Sequence, residues 1–357
     1  MAELLKTDAA GADTSSSPAT SAGRPRQSGP FTDPRHRTRY IVAIIGLVAV
    51  SIASTCGILL WDNRAEPGSA AFEMIVQMRA SSVVVILVVA FCQAFATVSF
   101  QTATGNRIIT PSIMGFESLY VLIQTATVFF LGASGVYLFT GGAQFFLQAG
   151  AMILFATVLY TWLLSGRFGS IHIMLLVGIV IGGGLGSLSS FMQRVMDPNE
   201  FDLLTARLFG NIGNADTDNL KYVIPIIAVA GALIWLRARR MNVVALGADV
   251  TNNLGLNHRR EVMVSLFLVA VLMAMTTSLI GPMTFLGFLV ATLAYAATDT
   301  YDHRLVLPVA FLIGYAILST AYFVLRHVFY AQGAVTVIIE LVGGLVFLFV
   351  IMRKGRL

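Results

Sequence analysis

Long apolar stretches separated by short polar connections dominate the pattern of this chain. A transmembrane helix needs about 20 mostly apolar residues, and stretches of about that size recur along nearly the whole sequence. The stretch 283–298 is the shortest and follows Gly281-Pro282, a pair that favours a turn. The pattern predicts an all-α membrane protein with ten spans: 40–61, 82–100, 114–132, 146–165, 171–191, 221–237, 262–280, 283–298, 305–325 and 334–352.

Composition excludes an ordinary soluble protein, and the charge distribution predicts an orientation. Apolar residues make up 57% of the 357-residue chain and charged residues only 11%, whereas soluble domains carry roughly 25% charged residues. Placing the N-terminus in the cytoplasm puts 17 of the 23 lysines and arginines on the cytoplasmic side. Because cytoplasmic loops carry an excess of Lys and Arg, both termini are expected inside. The net charge of +5 does not indicate nucleic acid, since the basic residues lie between apolar stretches.

Two polar segments outside the spans have distinct compositions. Residues 1–38 are rich in Ser, Thr, Ala, Gly and Pro, so we expect a disordered cytoplasmic tail before a transmembrane domain at 39–357. The extracytoplasmic segment 192–220 is acidic and contains the apolar stretch Phe201–Phe209. That stretch predicts a short helix lying at the outer surface.

The cytoplasmic segment 241–257 is predicted to form two short helices. Met241–Leu246 would end at Gly247, and a second helix, Val250–Leu254, would end at Gly255. Asp249 is expected to cap the second helix. A compact helical pair on a cytoplasmic loop favours a docking element over a simple linker.

Catalytic motifs are absent from the sequence. None of the three lysines lies in a P-loop, and no two of the five histidines are spaced i, i+4 as in a zinc protease helix. Gly178, Gly182 and Gly186 recur every four residues, which is the small-residue pattern of closely packed membrane helices. The chain is therefore not expected to be an enzyme or to bind a metal.

Four polar residues fall inside predicted spans, and each has two interpretations. Glu340 lies deep in the last span, where a carboxylate is costly unless it faces protein or a water-filled path. It either lines a path, contacts substrate or relays protons, or it is a protonated or hydrogen-bonded packing residue. Glu117 is expected near the cytoplasmic start of the third span, where a carboxylate favours a helix N-terminus. Gln93 and Gln124 either line a polar path or bond between helices.

Several short motifs carry a specific family resemblance. Gln77-Met78-Arg79, Gln101, Asn106, Pro111 and Gly115 are similar to Q-x-R-x-P-R, then Gln, then N-P-L-A-x-P-x-x-x-G. Three later stretches agree with A-L-G…L-G, G-P-x-x-F-x-G and D-H-R-x-x-L-P, at 245–255, 281–287 and 302–308. Over about 40–355 the chain thus resembles the FecCD family of ABC importer permeases, which serve iron-siderophore, haem and vitamin B12 import. Residues 114–120, 284–287 and 337–344 resemble permeases for catecholate siderophores such as petrobactin.

The resemblance implies a permease subunit of type II ABC importer architecture. Its substrate would be an Fe(III)-siderophore, and the chain itself would bind no cofactor, because ATP and Mg²⁺ belong to two partner ATPase subunits. The other implied partners are a second permease chain, a paralogue rather than a copy, and an extracytoplasmic substrate-binding protein. Membrane lipid surrounds such a chain, and no nucleic acid is expected.

The resemblance also implies roles for individual residues. Arg79, by its motif, and Arg326, by its neighbourhood, would dock the binding protein, and 192–220 would lie near the outer gate. Candidates for lining the translocation path are Gln93, Gln124 and Glu340. The residues that would couple to the ATPases are Ala245, Leu246, Gly247, Asp249, Leu254 and Gly255.

Several positions depart from the family pattern, and two other functions compete with it. Ser82, Arg107 and Glu340 stand where members have Arg, Pro and often Asn, and Ala291 and Thr292 replace the common Pro-His. The main alternative is a proton-coupled secondary transporter using Glu340 or Glu117, although such carriers usually show repeats with broken helices. An intramembrane enzyme is the third possibility, and the sequence shows no nucleophile or metal set for it.

Overall fold

The structure is a computed structural model that describes residues 34–63, 65–138, 141–165, 171–208, 212–215, 217–298, 300–330 and 335–354. These residues form a helical bundle. Its helices are α1 Pro34–Leu60, α2 Ala70–Thr104, α3 Phe116–Leu138, α4 Gly142–Ser165, α5 Ile171–Val195, α6 Pro198–Leu208, α7 Leu220–Leu236, α8 Ala238–Val244, α9 Ala248–Asn253, α10 His258–Ile280, α11 Leu286–Thr298, α12 His303–His327 and α13 Val335–Lys354.

Each predicted span corresponds to a helix. In the described residues, seven helices are long and apolar enough to cross a membrane: α1, α2, α4, α5, α7, α10 and α12. The other three predicted spans are shorter apolar helices, Phe116–Gly132, Leu286–Thr298 and Val335–Phe349. The first span begins at Pro34, earlier than predicted, because proline is well suited to the first turn of a helix. The predicted disordered tail otherwise lies outside the described residues.

Helix α2 is the centre of the bundle. It runs for 35 residues, is capped at its start by Ser69, which accepts from Phe72 N, and ends at Gly105 with a left-handed φ of 62°. It packs most extensively against α10 and α12, and every residue from Cys92 to Thr104 is buried. A helix that is apolar on all sides belongs in a core, so the other long helices are arranged around α2.

The connection between α2 and α3 returns into the bundle rather than along its cytoplasmic surface. After a 3₁₀ turn at Pro111–Met114, Gly115 adopts φ 94° and lies against Gly182, near the middle of the 25-residue α5. A Cβ on Gly182 would lie 2.9 Å from the Gly115 Cα. The close-packing interpretation of the Gly178, Gly182 and Gly186 stripe is therefore confirmed for Gly182. Helix α3 begins at mid-height, so the predicted cytoplasmic position of Glu117 is wrong.

Helix α11 also begins inside the bundle. The loop 281–285 starts at Gly281, whose φ of 87° allows the chain to leave α10 sharply, as the Gly-Pro pair predicts. Gly287 then brings α11 close to α2, since a Cβ there would lie 2.2 Å from Thr97 Oγ1. With only 13 residues, α11 spans about 20 Å. Two short helices, α3 and α11, therefore start in neighbouring positions within the membrane region.

Candidate functional site

Helices α8 and α9 form a compact element, residues 238–257, in the segment predicted to be cytoplasmic. We call it the coupling unit, after its predicted role. Thr251 Oγ1 lies 2.6 Å from Gly247 O and 3.1 Å from Val243 O, which ties the two helices together. Gly247 and Gly255 have φ values of 95° and 82° and let the chain reverse after each helix. Asp249 was predicted as the cap of α9, but Gly247 occupies that position and Asp249 lies in the first turn. A carboxylate there still stabilises the helix through its dipole.

Polar contacts fasten the coupling unit to three core helices. Glu261 on α10 forms ion pairs with Arg237 and Arg240. The Asn242 amide donates to Asp302 Oδ1 at 3.0 Å and accepts from His303 N at 3.0 Å, at the start of α12. The buried His303 ring joins Asn242 Oδ1 at 2.5 Å to Thr102 Oγ1 of α2 at 2.6 Å. Helix α8 is thus bonded to α10 and α12 directly and to α2 through His303.

The coupling unit exposes several apolar side chains. Leu246 and Leu254 each expose 61% of their surface, and Val250 exposes 42%. All six residues implied as coupling residues are exposed in the single chain: Ala245, Leu246, Gly247, Asp249, Leu254 and Gly255. Exposed apolar side chains grouped on a polar loop are typical of a protein interaction site.

Arg79 lies at the outer end of the bundle and points inward. Its guanidinium donates to the carbonyl oxygens of Ile58, Leu59 and Trp61 at 3.2, 3.4 and 2.7 Å, and to Asp62 O at 3.3 Å. These carbonyls at the end of α1 lack partners within their helix. Only 9% of Arg79 is exposed. The geometry therefore gives Arg79 a capping role that sequence reasoning missed, and its docking role stays a prediction.

Arg326 is exposed at the same end of the bundle. Its Nη1 donates to Tyr322 OH at 2.7 Å, and Tyr322 OH donates in turn to Ser82 Oγ at 3.3 Å. The chain beyond it presents apolar side chains to the outside, with Val328, Phe329 and Tyr330 exposed by 59, 66 and 75%. Arg326 thus presents a positive charge beside an apolar patch, and its docking role stays a prediction.

The three residues predicted to line the translocation path differ in burial. Gln93 is 2% exposed between α2 and α11, and Gln124 is 6% exposed and donates to Gln148 Oε1 at 2.9 Å. In this conformation both pack inside the chain rather than line a surface, because tightly packed neighbours enclose them. Glu340 is exposed on α13. Of the three, only Glu340 is exposed in the single chain, and its place on a translocation path stays a prediction.

Glu117 connects the starts of α3 and α11. Its carboxylate accepts from Met283 N at 3.1 Å and from Thr284 Oγ1 at 2.5 Å. Both bonds come from the loop 281–285, so Glu117 fixes that loop against α3. Sequence analysis singled out Glu117 and the Gly-Pro turn separately, but nothing local to either indicated that they meet.

Comparisons with known proteins identify the family. Residues 38–353 match the FecCD transport family. The chain belongs to this family. It is 46% identical to the petrobactin import system permease protein FatC of Bacillus anthracis, over 93% of this chain and 94% of FatC. The petrobactin import system permease protein FatD of the same organism is 26% identical over 89% of this chain and 92% of its own length.

A solved structure shares the fold. An ABC transporter of metal-chelate type in an inward-facing conformation superposes with a TM-score of 0.72 at 18% identity, covering 88% of this chain and 99% of its own. This FecCD chain is therefore a multi-pass protein of the cytoplasmic membrane with the expected permease architecture. Among its described residues, no three His, Cys, Asp or Glu side chains come together to hold a metal ion.

Proposed function

We propose that this chain is the permease subunit of an ATP-driven importer that carries ferric siderophores of the petrobactin type across the cytoplasmic membrane. The observation that carries the proposal is the coupling unit, which presents apolar side chains to the cytoplasm while polar bonds hold it to three core helices. The similarity to FatC supports the substrate class. The relatives are permease subunits, and the secondary-transporter alternative finds no support among them.

Two ATPase subunits are the proposed cytoplasmic partners and would supply ATP and Mg²⁺. Leu246, Val250 and Leu254 would enter a groove on one ATPase, because each is held exposed on a short, rigid helix pair. Closure of the ATPases on ATP would then displace the coupling unit as a rigid body. The contact between Asn242 and His303 would pass that displacement to α12 and α2.

A second permease chain and a substrate-binding protein complete the proposed importer. FatC and FatD are distinct permeases for petrobactin import, which favours a paralogue over a second copy as the partner here. Arg326, with its exposed side chain, would meet an acidic residue of the binding protein. The segment 192–220, which contains α6, would lie near the outer gate, and Glu340 would face the path between the two permeases.

The first test is co-purification of the tagged full chain from native membranes in a mild detergent. The wild-type chain should bring down a P-loop ATPase and a second permease, and the double variant Leu246→Ser, Leu254→Ser should lose most of the ATPase. Asn253→Ala is the matched control, since it changes an exposed polar residue of the same helix. Equal ATPase recovery by the double variant and the control would contradict the coupling role. A wild-type chain that purifies without any ATPase would contradict the function itself.

A further inference from the structure

An open apolar groove runs along the face of the bundle between α1 and α13. Its volume is about 860 Å³, and α11 and α12 form its floor. Among the described residues that line it, only Thr320 carries a polar side chain. Representative lining residues are Ala43, Gly46, Leu293, Ile317 and Val342. A groove of this composition at span depth suits a hydrocarbon chain.

The groove continues into a row of positive charge at its cytoplasmic end. Ala43, Gly46 and Val50 line the groove from α1, and residues three or four apart share one helix face. Arg39 lies one turn before Ala43 on that face, and Arg35 lies one turn before Arg39. Both arginines are exposed. The same stripe of α1 is therefore cationic at the membrane surface and apolar within it.

Contacts at the start of α12 show which end of the groove is cytoplasmic. Tyr40 OH donates to Leu305 O at 3.4 Å, so the start of α1 lies beside the start of α12. The start of α12 in turn contacts the coupling unit through Asn242 and His303. Arg39 is therefore at the level of the cytoplasmic leaflet, whose anionic headgroups attract basic residues.

We propose that this groove is a binding site for an anionic phospholipid. One acyl chain would lie between α1 and α13, and the headgroup phosphate would rest on Arg39 and Arg35. The occupant is a phospholipid rather than a protein segment because charge at the surface and hydrocarbon below it are found on one stripe. The site does not depend on which substrate the permease carries.

Two matched pairs of variants separate the two parts of the site. Gly46→Leu fills the groove, and no atom lies within 4 Å of the position of its Cβ, so the bundle should tolerate the change. Gly150→Leu makes the same change in open space on α4. Arg39→Gln removes the charge on the groove stripe, whereas Arg37→Gln removes one that lies about 200° around α1.

The probes are phosphatidylglycerol and phosphatidylcholine with identical acyl chains, added to the purified full chain in its complex. Native mass spectrometry counts the lipid retained, and thermal denaturation measures the stabilisation by each lipid. The wild type, Gly150→Leu and Arg37→Gln should retain phosphatidylglycerol in preference to phosphatidylcholine. Arg39→Gln should weaken that retention about fivefold, the effect of one basic residue near an anionic surface. Gly46→Leu should reduce the retention of both lipids, because their identical acyl chains lose the same groove.

Three outcomes would overturn the proposal. Equal retention of the two lipids by the wild type would show that the charge plays no part. Unchanged phosphatidylglycerol retention in Gly46→Leu would show that the groove is not occupied. Loss of a co-purifying protein, with lipid unchanged, would show that a protein partner covers this face. Because Arg39 is exposed, Arg39→Gln should fold even if Gly46→Leu does not, and its lipid-dependent melting temperature remains a decisive measurement.

Discussion

The close contact between Gly182 of α5 and Gly115 predicts that a single methyl group at Gly182 will disrupt the bundle. An alanine Cβ would lie 2.9 Å from Gly115 Cα and 3.2 Å from Gly115 N. Carbon atoms in favourable contact are roughly 3.5–4.0 Å apart, so the segments must separate by at least about 0.6 Å. Gly115 cannot move away easily, because its φ of 94° holds it in a tight turn between Met114 and α3.

The expected loss in free energy of unfolding follows from comparing Gly182→Ala with Gly150→Ala. Both changes gain the preference of a helix for alanine, about 1 kcal/mol, so this contribution cancels in the comparison. Overpacking a close contact costs about 1–3 kcal/mol. The free energy of unfolding should therefore be lower for Gly182→Ala than for Gly150→Ala by about 1–3 kcal/mol. Gly186→Ala is a second control on the same stripe, since its Cβ would be 3.9 Å from the nearest atom, Ser118 Oγ.

Thermal denaturation of the purified chain in detergent, followed by size-exclusion chromatography, measures the order of the variants. Gly150→Ala and Gly186→Ala should melt at or above the wild-type temperature, and Gly182→Ala should melt several degrees below them, roughly 2–4 °C for each kcal/mol. If Gly182→Ala melts together with the two controls, the connection 105–115 does not re-enter the bundle as described. A loss in Gly186→Ala equal to that in Gly182→Ala would instead place the contact one turn away.

Four further predictions concern polar contacts. Arg79→Ala should lower the free energy of unfolding by about 2 kcal/mol, because the carbonyls at the end of α1 lose a charged donor. Arg326→Ala should leave the melting temperature unchanged and weaken the affinity for the binding protein, measured in proteoliposomes. A lower melting temperature in Arg326→Ala, with none in Arg79→Ala, would refute the capping role of Arg79. Glu117→Ala should destabilise the chain more than Glu117→Gln, because only glutamine keeps an acceptor for the Met283 amide. Asn242→Ala should lower transport per ATP hydrolysed in reconstituted complex while assembly persists; an unchanged ratio would exclude this route of coupling.

The spans were predictable because their signal is local. Twenty apolar residues in a row identify a helix whatever the helix packs against, and all ten stretches form helices in the described residues. The Gly-Pro turn before α11 and the glycine that follows α9 were predictable for the same reason, whereas α8 ends at Val244, two residues before its predicted end. The depth of Glu117 within the bundle was not predictable, because it depends on the packing of Gly115 against Gly182 on another helix.

Side-chain contacts between different helices were also not predictable from the sequence. Arg79 is separated from the carbonyls it caps by about twenty residues and a turn, and no spacing rule relates them. Gln93 has a polar side chain of the kind that lines a translocation path, yet the close approach of Gly287 on α11 encloses it. Motif resemblance identified which residues matter in the family, but not which way each side chain points. The direction of a side chain follows from tertiary packing. Packing leaves Arg326 exposed and buries Arg79.

Helix α2 connects the two ends of the molecule mechanically. Thr102, near its cytoplasmic end, holds His303 and through it the coupling unit, and Arg79, near its outer end, holds the last turn of α1. The two residues are 23 positions apart on one continuous helix, about 35 Å at 1.5 Å per residue. No proline interrupts α2, and its cytoplasmic half is buried continuously from Cys92 to Thr104. If the coupling unit moves as proposed, this one continuous helix would carry the displacement to the outer end of α1.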